Sequence, residues 1–173
     1  MCNHCVAPQP SRDYLLQHSG AMKRILVAHD GSLFSPAVLE EATALATGWG
    51  AKIRLVRAVS IPAVPAFNNR VVDAIVEMAT SSLRTAAKAI PPALRDGLSL
   101  DVGEPCRVVL AAARAYEADL IVIGAHAHGT FRQVLGTSAA RIVQHARAPV
   151  FVVRPASDRA HSTACTSCAS APA

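Results

Sequence analysis

Short apolar runs alternate with longer amphipathic segments along the middle of the chain. The runs are rich in branched residues and lie at 23–29, 52–59, 98–102, 119–124 and 149–154. Between them, apolar residues recur at helical spacing at about 35–48, 71–90, 106–117 and 137–145. Runs of the first kind are typical of buried parallel strands, and segments of the second kind are typical of helices that cover a sheet. The pattern therefore predicts strands that alternate with helices.

This alternation fixes the fold class. Strands joined by helices imply right-handed crossovers and a parallel sheet with helices on both faces, which is a doubly wound α/β domain. The run at 119–124 is the most apolar, and we expect it to be the central strand. Ligands of such domains bind beyond the carboxyl ends of the strands, where the strand order reverses. The loops after the first and fourth strands are therefore the predicted location of a site.

Composition changes at both ends of the alternating region. Residues 1–22 are polar and irregular, and residues 156–173 are rich in Ala, Ser and Thr without periodicity. Segments of this kind do not bury enough apolar surface to order themselves. We predict two flexible tails around one domain at 23–155.

Charge and hydropathy narrow the classes of partner. The net charge is +5, and Lys and Arg are scattered without interleaved aromatic residues, so nucleic acid is not an expected partner. No run reaches the ~18 apolar residues of a membrane span, so no membrane partner is expected. The first residues lack the basic start and apolar run of a secretory signal, and we expect a cytoplasmic protein.

The loop after the fourth strand ends at the start of a helix. Gly124 and Gly136 bound it, and Thr137 and Ser138 follow. Helix N-termini present unpaired N–H groups and a positive dipole, which suit a phosphate. In the alternative interpretation the hydroxyls cap the helix and the glycines turn the chain. After the first strand, Asp30 can accept hydrogen bonds from ribose hydroxyls or form an Asx turn.

Three stretches of the sequence resemble the universal stress protein family. They are ILVAHDGS at 25–32, GEPCRVVLAAARAYEADLIVIGAHAHG at 103–129 and VLGTSAARIVQHARAPVFVVRP at 134–155. The resemblance implies a Rossmann-like fold with sheet order 3-2-1-4-5, of the adenine-nucleotide alpha hydrolase type. It also implies a homodimer that pairs through the last strand, here 149–154. Many members bind ATP or another adenine nucleotide, whereas others bind none and act as dimeric stress-response factors.

The nucleotide-binding members resemble the pattern G-x2-G-x9-G-[S/T]. This chain departs from the pattern twice, since Ala127 replaces the second glycine and the loop is one residue shorter. The resemblance places Ala28 and Ala58 beside the adenine, Asp30 on the ribose, Gly124 at the ribose side, Ala127 at the second phosphate-loop glycine, and Gly136, Thr137 and Ser138 at the phosphates. The loops show no Walker lysine, no Ser-His-Asp frame and no paired carboxylates, so we expect slow ATP hydrolysis at most.

Histidines suggest a separate, metal-based hypothesis. His29, His126 and His128 follow the first and fourth strands, so with Asp30 they could meet at the carboxyl edge of the sheet. Imidazole and carboxylate are ligands that suit zinc. The alternative is that these are ordinary polar loop residues.

The cysteines suggest a metal or thiol sensor. Cys2 and Cys5 form one C-x2-C pair, and Cys165 and Cys168 form another at the opposite end of the chain. Two such pairs are the ligand set of a structural zinc site, and each pair can also act in redox chemistry. The pairs could meet within one chain, meet across a dimer, or have no function. Cys106 begins the third helix, where we expect a small buried residue.

Overall fold

The structure is a computed structural model that describes residues 22–61, 69–125 and 135–154. The strands are β1 (Arg24–Ala28), β2 (Lys52–Val59), β3 (Arg95–Val102), β4 (Leu120–Gly124) and β5 (Val150–Val153). The helices are α1 (Ser35–Trp49), α2 (Asn69–Lys88), α3 (Pro105–Tyr116) and α4 (Thr137–His145), with a single 3₁₀ turn at Pro92–Leu94. Apart from Met22, which packs against the core, the predicted tails and all four of their cysteines lie outside the described residues.

The strands form one parallel sheet in the order β3-β2-β1-β4-β5. This confirms the doubly wound α/β fold and the implied strand order. The middle position belongs to β1, where Ile25 lies opposite Ile53 of β2 and Leu120 of β4. The expectation that 119–124 is the central strand was wrong by one position, because β4 lies between β1 and β5.

Side chains alternate between two cores, one on each face of the sheet. The core under α1 and α2 includes Ile25, Val27, Ile53, Leu55 and Leu83. The core under α3 and α4 includes Leu26, Val56, Val109, Ile121 and Ile142. Burial of each such side chain contributes about 1.5–3 kcal/mol. These two cores explain why the sequence shows unbroken apolar runs instead of an alternating pattern.

Local signals explain where the helices begin and end. Helix α1 has Pro36 in its first turn and stops at Gly50, whose φ of 66° is the left-handed conformation of a helix C-cap. Helix α3 begins after Glu104, whose carboxylate accepts hydrogen bonds from the N–H groups of Cys106 and Arg107. Such a cap stabilises a helix by about 1 kcal/mol.

The largest difference from the predicted boundaries lies in β3. This strand begins at Arg95 and not at residue 98, and its pairing with β2 shifts register between Ile53 and Leu55. It is an edge strand, and its first residues are polar and exposed. Such residues carry no hydrophobic signal, so the sequence predicts only the apolar end of the strand. None of the helices in the described ranges is long and apolar enough to cross a membrane.

Candidate functional site

A cavity of about 590 Å³ opens at the carboxyl edge of the sheet. The ends of β1, β2 and β4 form its floor, and the first turns of α3 and α4 form its walls. This is the switch point of the strand order, where ligands of doubly wound folds bind. The volume is in the range of small-molecule sites.

The cavity brings together the described residues that the sequence resemblance assigned to a nucleotide. They are Ala28, Asp30, Ala58, Gly124, Gly136, Thr137 and Ser138. They come from four separate parts of the chain, so only the folded sheet joins them. Ala127 lies outside the described residues, and so do His126 and His128.

Apolar side chains form one wall of the cavity. Ala28 and Ala58 occupy neighbouring strands, and their small side chains leave space above the sheet that larger residues would fill. Val109 and Ile142 approach from the two helices. A flat, apolar group such as an aromatic base suits a slot of this kind.

Asp30 stands at the mouth of β1 and organises the turn that follows. Its Oδ1 accepts a hydrogen bond of 2.9 Å from the backbone N–H of Ser32 and one of 2.7 Å from the hydroxyl of Ser35. The Asx-turn interpretation of Asp30 is therefore correct. The same bonds hold the carboxylate at the wall of the cavity, so the turn and a ligand-binding role are compatible.

The first turn of α4 supplies backbone donors to the opposite end of the cavity. Gly136 is the N-cap residue, and within the described part of the chain no side chain caps this helix. The capping role considered for Thr137 and Ser138 is therefore not seen. Helix starts without a cap leave N–H groups unpaired, and these attract anions. This end of the cavity has the chemistry of a phosphate site.

The neighbouring helix α3 differs, because a carboxylate already occupies its start. Besides capping α3, Glu104 Oε1 lies 2.9 Å from Nη1 of Arg141 on α4. Pro105, which follows, lines the cavity. Of these two helix starts, α4 is therefore the one whose N–H groups have no side-chain acceptor among the described residues.

Ser60 and His29 also line the cavity, and the sequence assigned neither of them to the nucleotide. Ser60 follows β2 as Asp30 follows β1, and its hydroxyl lies 3.3 Å from the carbonyl of Gly103. His29 is only 7% exposed, and its Nδ1 has no hydrogen-bond partner in the described residues. Burial lowers the pKa of His29, the Arg57 guanidinium lowers it further, and Asp30 opposes both effects. The imidazole is therefore neutral near pH 7.

The metal hypothesis finds no support in the described part of the chain, where no three His, Cys, Asp or Glu residues form a group that could hold an ion. Cys106 is buried, as expected. Burial raises the pKa of its thiol, and Glu104 raises it further. A thiol in that environment is unreactive.

The fold and the cavity together define a doubly wound α/β protein with a small-molecule site at the switch point. Residues 22–154 match the model of the universal stress protein family. The chain is 32% identical over 138 residues to a Thermus aquaticus protein described as "Universal stress protein in QAH/OAS sulfhydrylase 3′ region", with 76% of this chain and 98% of that protein covered. The chain therefore belongs to the universal stress protein family.

Solved structures agree with this assignment. A universal stress family protein from Burkholderia pseudomallei is 28% identical, has a TM-score of 0.62, and is matched over 77% of this chain and 96% of its own. One from Archaeoglobus fulgidus, solved in complex with dAMP, is 23% identical with a TM-score of 0.55, over 76% and 96% of the two chains. A further universal stress protein, whose structure is in complex with cAMP, is 24% identical with a TM-score of 0.54, and the match covers 78% of this chain and 98% of its own. The last two likenesses concern the fold alone.

Proposed function

We propose that this protein is a universal-stress-type regulator that binds an adenine nucleotide in the cavity between the loops after β1 and β4. One observation carries the proposal. A carboxylate at one end of the cavity and, at the other, a helix start that no described side chain caps flank an apolar slot. A nucleotide has the matching order of groups, which are a flat base, a hydroxylated sugar and an anion.

In the proposed complex the adenine lies between Ala28 and Ala58, and Asp30 accepts hydrogen bonds from the ribose hydroxyls. The phosphates meet the N–H groups of the first turn of α4, with the hydroxyls of Thr137 and Ser138 beside them. The relatives solved with dAMP and cAMP support this class of ligand. Gly124 would allow the sugar to approach the end of β4.

We propose at most slow hydrolysis, so the nucleotide acts as a signal. Among the described lining residues the candidate bases are Asp30, which already accepts two hydrogen bonds from nearby serines, and His29, which is only 7% exposed. A general base needs a carboxylate or imidazole within reach of an attacking water. We infer that nucleotide occupancy changes the affinity for a protein partner and that the cytoplasm is the site of action.

We also propose a homodimer that pairs through β5. In the described sheet β5 has a neighbour on one side only, β4, and Phe151 is 39% exposed. Proteins normally cover an apolar edge strand of this kind. Native mass spectrometry measures the state directly, and Phe151→Lys should shift a dimer toward monomer. A monomeric wild-type protein would contradict this proposal without affecting the nucleotide site.

The first experiment is a thermal-shift titration with AMP, ADP, ATP and cAMP, after native mass spectrometry of the freshly purified protein. Ligand at ~100 times its dissociation constant stabilises a protein by about 2.7 kcal/mol. Asp30→Ala should abolish most of that stabilisation. Asp101→Ala is the matched control, because Asp101 is an exposed carboxylate at the end of β3 that does not line the cavity.

Two other functions remain as outcomes of this experiment. If no nucleotide copurifies and none stabilises the wild-type protein, the nucleotide proposal fails and the dimeric interaction protein without nucleotide replaces it. Zinc found by elemental analysis, and lost when residues 1–21 and 155–173 are deleted, would support the metal sensor built from the two C-x2-C pairs.

A further inference from the structure

The turn after β1 rests against a charged side chain from the next strand. Gly31 has a φ of 76°, and a methyl group added to it would lie 2.7 Å from Nη2 of Arg57 and 2.9 Å from its Cζ and Nη1. Carbon atoms do not approach other heavy atoms so closely. Glycine adopts this backbone conformation easily, and a side chain here would also displace the guanidinium of Arg57.

Arg57 reaches the turn from the face of the sheet opposite the cavity. Its neighbours on β2, Val56 and Ala58, line the cavity, and side chains alternate along a strand. Arg57 itself points toward α2, where its Nη1 lies 3.5 Å from the carbonyl oxygen of Ala79. Arg57 is not among the residues that line the cavity, so it contacts the turn after Asp30 from the opposite face of the sheet.

Among the described residues, Arg57 forms only a weak hydrogen bond outside the turn. Arg57 is half-buried, and its bond to Ala79 is at the limit of hydrogen-bond distance. Within the described part of the chain no carboxylate forms an ion pair with it. The guanidinium also acts on His29, whose pKa it lowers, and it packs against the backbone of Gly31.

The same turn holds the proposed ribose acceptor. Gly31 separates Asp30 from Ser32, and the hydrogen bond from Ser32 N–H to Asp30 Oδ1 spans Gly31. If Gly31 moves toward the space that Arg57 fills, this bond lengthens and the carboxylate leaves the cavity wall. Hydrogen bonds between a carboxylate and a ligand hydroxyl weaken steeply with distance and angle.

We propose that Arg57 is a positioning residue for the Asp30 turn and that it sets how strongly the site distinguishes a ribose from a sugar without hydroxyls. The inference rests on the proposed nucleotide function and extends it to a residue outside the cavity. It assigns Arg57 no contact with the nucleotide.

The test compares AMP with dideoxy-AMP, which has the same base and phosphate but neither ribose hydroxyl. Calorimetric dissociation constants are measured for the wild type, Arg57→Met, Arg57→Lys and Asp30→Ala. We expect the wild type to prefer AMP by about tenfold or more, as a charged hydrogen bond implies. Arg57→Met should lower this preference to about twofold, with the affinity for dideoxy-AMP unchanged.

Two controls separate positioning from general loss of structure. Arg54→Met removes another guanidinium from β2, where Arg54 lies over the ring of Tyr116 and is not among the nearest neighbours of Gly31. It should lower stability and leave the AMP preference intact. In an Asp30→Ala background, Arg57→Met should have no further effect on either nucleotide, because the residue it positions is gone.

Hydrogen exchange of the Ser32 amide gives a readout without nucleotide. We expect it to accelerate in Arg57→Met, and Arg57→Lys, which keeps the charge without the fork, should be intermediate in both measurements. If Arg57→Met does not fold, the lysine variant carries the test. A wild type that binds neither nucleotide overturns the proposed function. A wild-type preference retained in Arg57→Met, or equal losses for both nucleotides, overturns the positioning role alone.

Discussion

The two ends of the cavity present different kinds of polar group, a side-chain carboxylate at one end and backbone N–H groups at the other. The end at β1 depends on one side chain, Asp30, which the Ser32 amide, the Ser35 hydroxyl and the packing of Gly31 hold in place. The end at α4 depends on backbone N–H groups that follow Gly136 and that no described side chain caps. One end is a positioned carboxylate and the other is an exposed helix start.

This difference determines which substitutions can abolish ligand binding at each end of the cavity. A function concentrated in one carboxylate disappears with one substitution, because nothing else at that end repeats its chemistry. Backbone donors cannot be deleted by changing a side chain, so the other end loses function only when something occupies it. Helix α3 illustrates the occupied state, since Glu104 already satisfies its first N–H groups. The comparison therefore predicts large effects from removal at β1 and from addition at α4.

The largest effect is expected for Asp30→Ala. It removes the proposed ribose acceptor and the acceptor that holds Ser32 and Ser35, and hydrogen bonds to charged groups contribute about 1.5–3 kcal/mol. AMP affinity should fall by about 10- to 150-fold in calorimetry. Asp30→Asn keeps an acceptor for the turn without the charge, so its AMP affinity should lie between those of the wild type and Asp30→Ala. Unchanged AMP binding in Asp30→Ala would place the sugar elsewhere.

The next effect comes from Gly136→Asp, which makes the start of α4 resemble that of α3. The φ of −56° at Gly136 suits any residue, so the change carries no backbone strain. The carboxylate of an aspartate N-cap accepts hydrogen bonds from the first N–H groups of α4 and stabilises the helix by a few tenths of a kcal/mol or more. It also repels a phosphate, so AMP affinity should fall by about tenfold.

Adenosine provides the control for this variant, because it lacks the phosphate. Its affinity should change by less than about twofold, whereas AMP and ATP weaken together. Gly136→Ala adds a methyl group without an acceptor and should leave AMP binding nearly intact. If Gly136→Asp binds AMP as the wild type does, the phosphate does not lie at α4.

Acid should destabilise the folded protein through His29, which lies at the β1 end of the cavity. The pKa of His29 is lowered in the folded state, chiefly by burial, so the unfolded chain binds a proton that the folded chain does not. Stability is therefore full above about pH 6.5 and falls as the pH drops from there toward the lowered pKa. The melting temperature should decline over that range, and His29→Leu should decline less. Equal declines in both proteins would assign the acid sensitivity to other groups.

The sequence predicted the fold better than it predicted the site, and the reasons are physical. Buried strands such as β1 and β4 need unbroken apolar runs, and α1 needs its proline start and glycine stop, so these features are visible along the chain. The edge strand β3 buries little at its beginning, so Arg95–Gly97 gave no signal.

Roles within the site were visible only in part. Asp30 and Gly136–Ser138 were candidates because they follow a strand or begin a helix, which are positions defined along the sequence, and they line the cavity. The ion pair of Glu104 with Arg141 and the contact of Arg57 with Gly31 join residues that are distant in the chain. Pairings of that kind depend on how β2 and the helices pack, and no local pattern encodes them. The metal hypothesis for His29 stays a prediction, because His126 and His128 lie outside the described residues, and the residues that are described form no group that could hold an ion.

The smallest effect is expected at the hydroxyl of Thr137, and it measures how far the α4 end depends on backbone alone. Thr137 is exposed and forms no capping bond, so Thr137→Ala should change stability by less than about 0.5 kcal/mol. If the N–H groups of α4 hold the phosphate, AMP affinity should fall by only about two- to threefold, the loss of one neutral hydrogen bond. Thr137→Ser keeps the hydroxyl and should match the wild type. A loss in Thr137→Ala as large as that in Asp30→Ala would show that a side chain dominates both ends, and the comparison between them would fail.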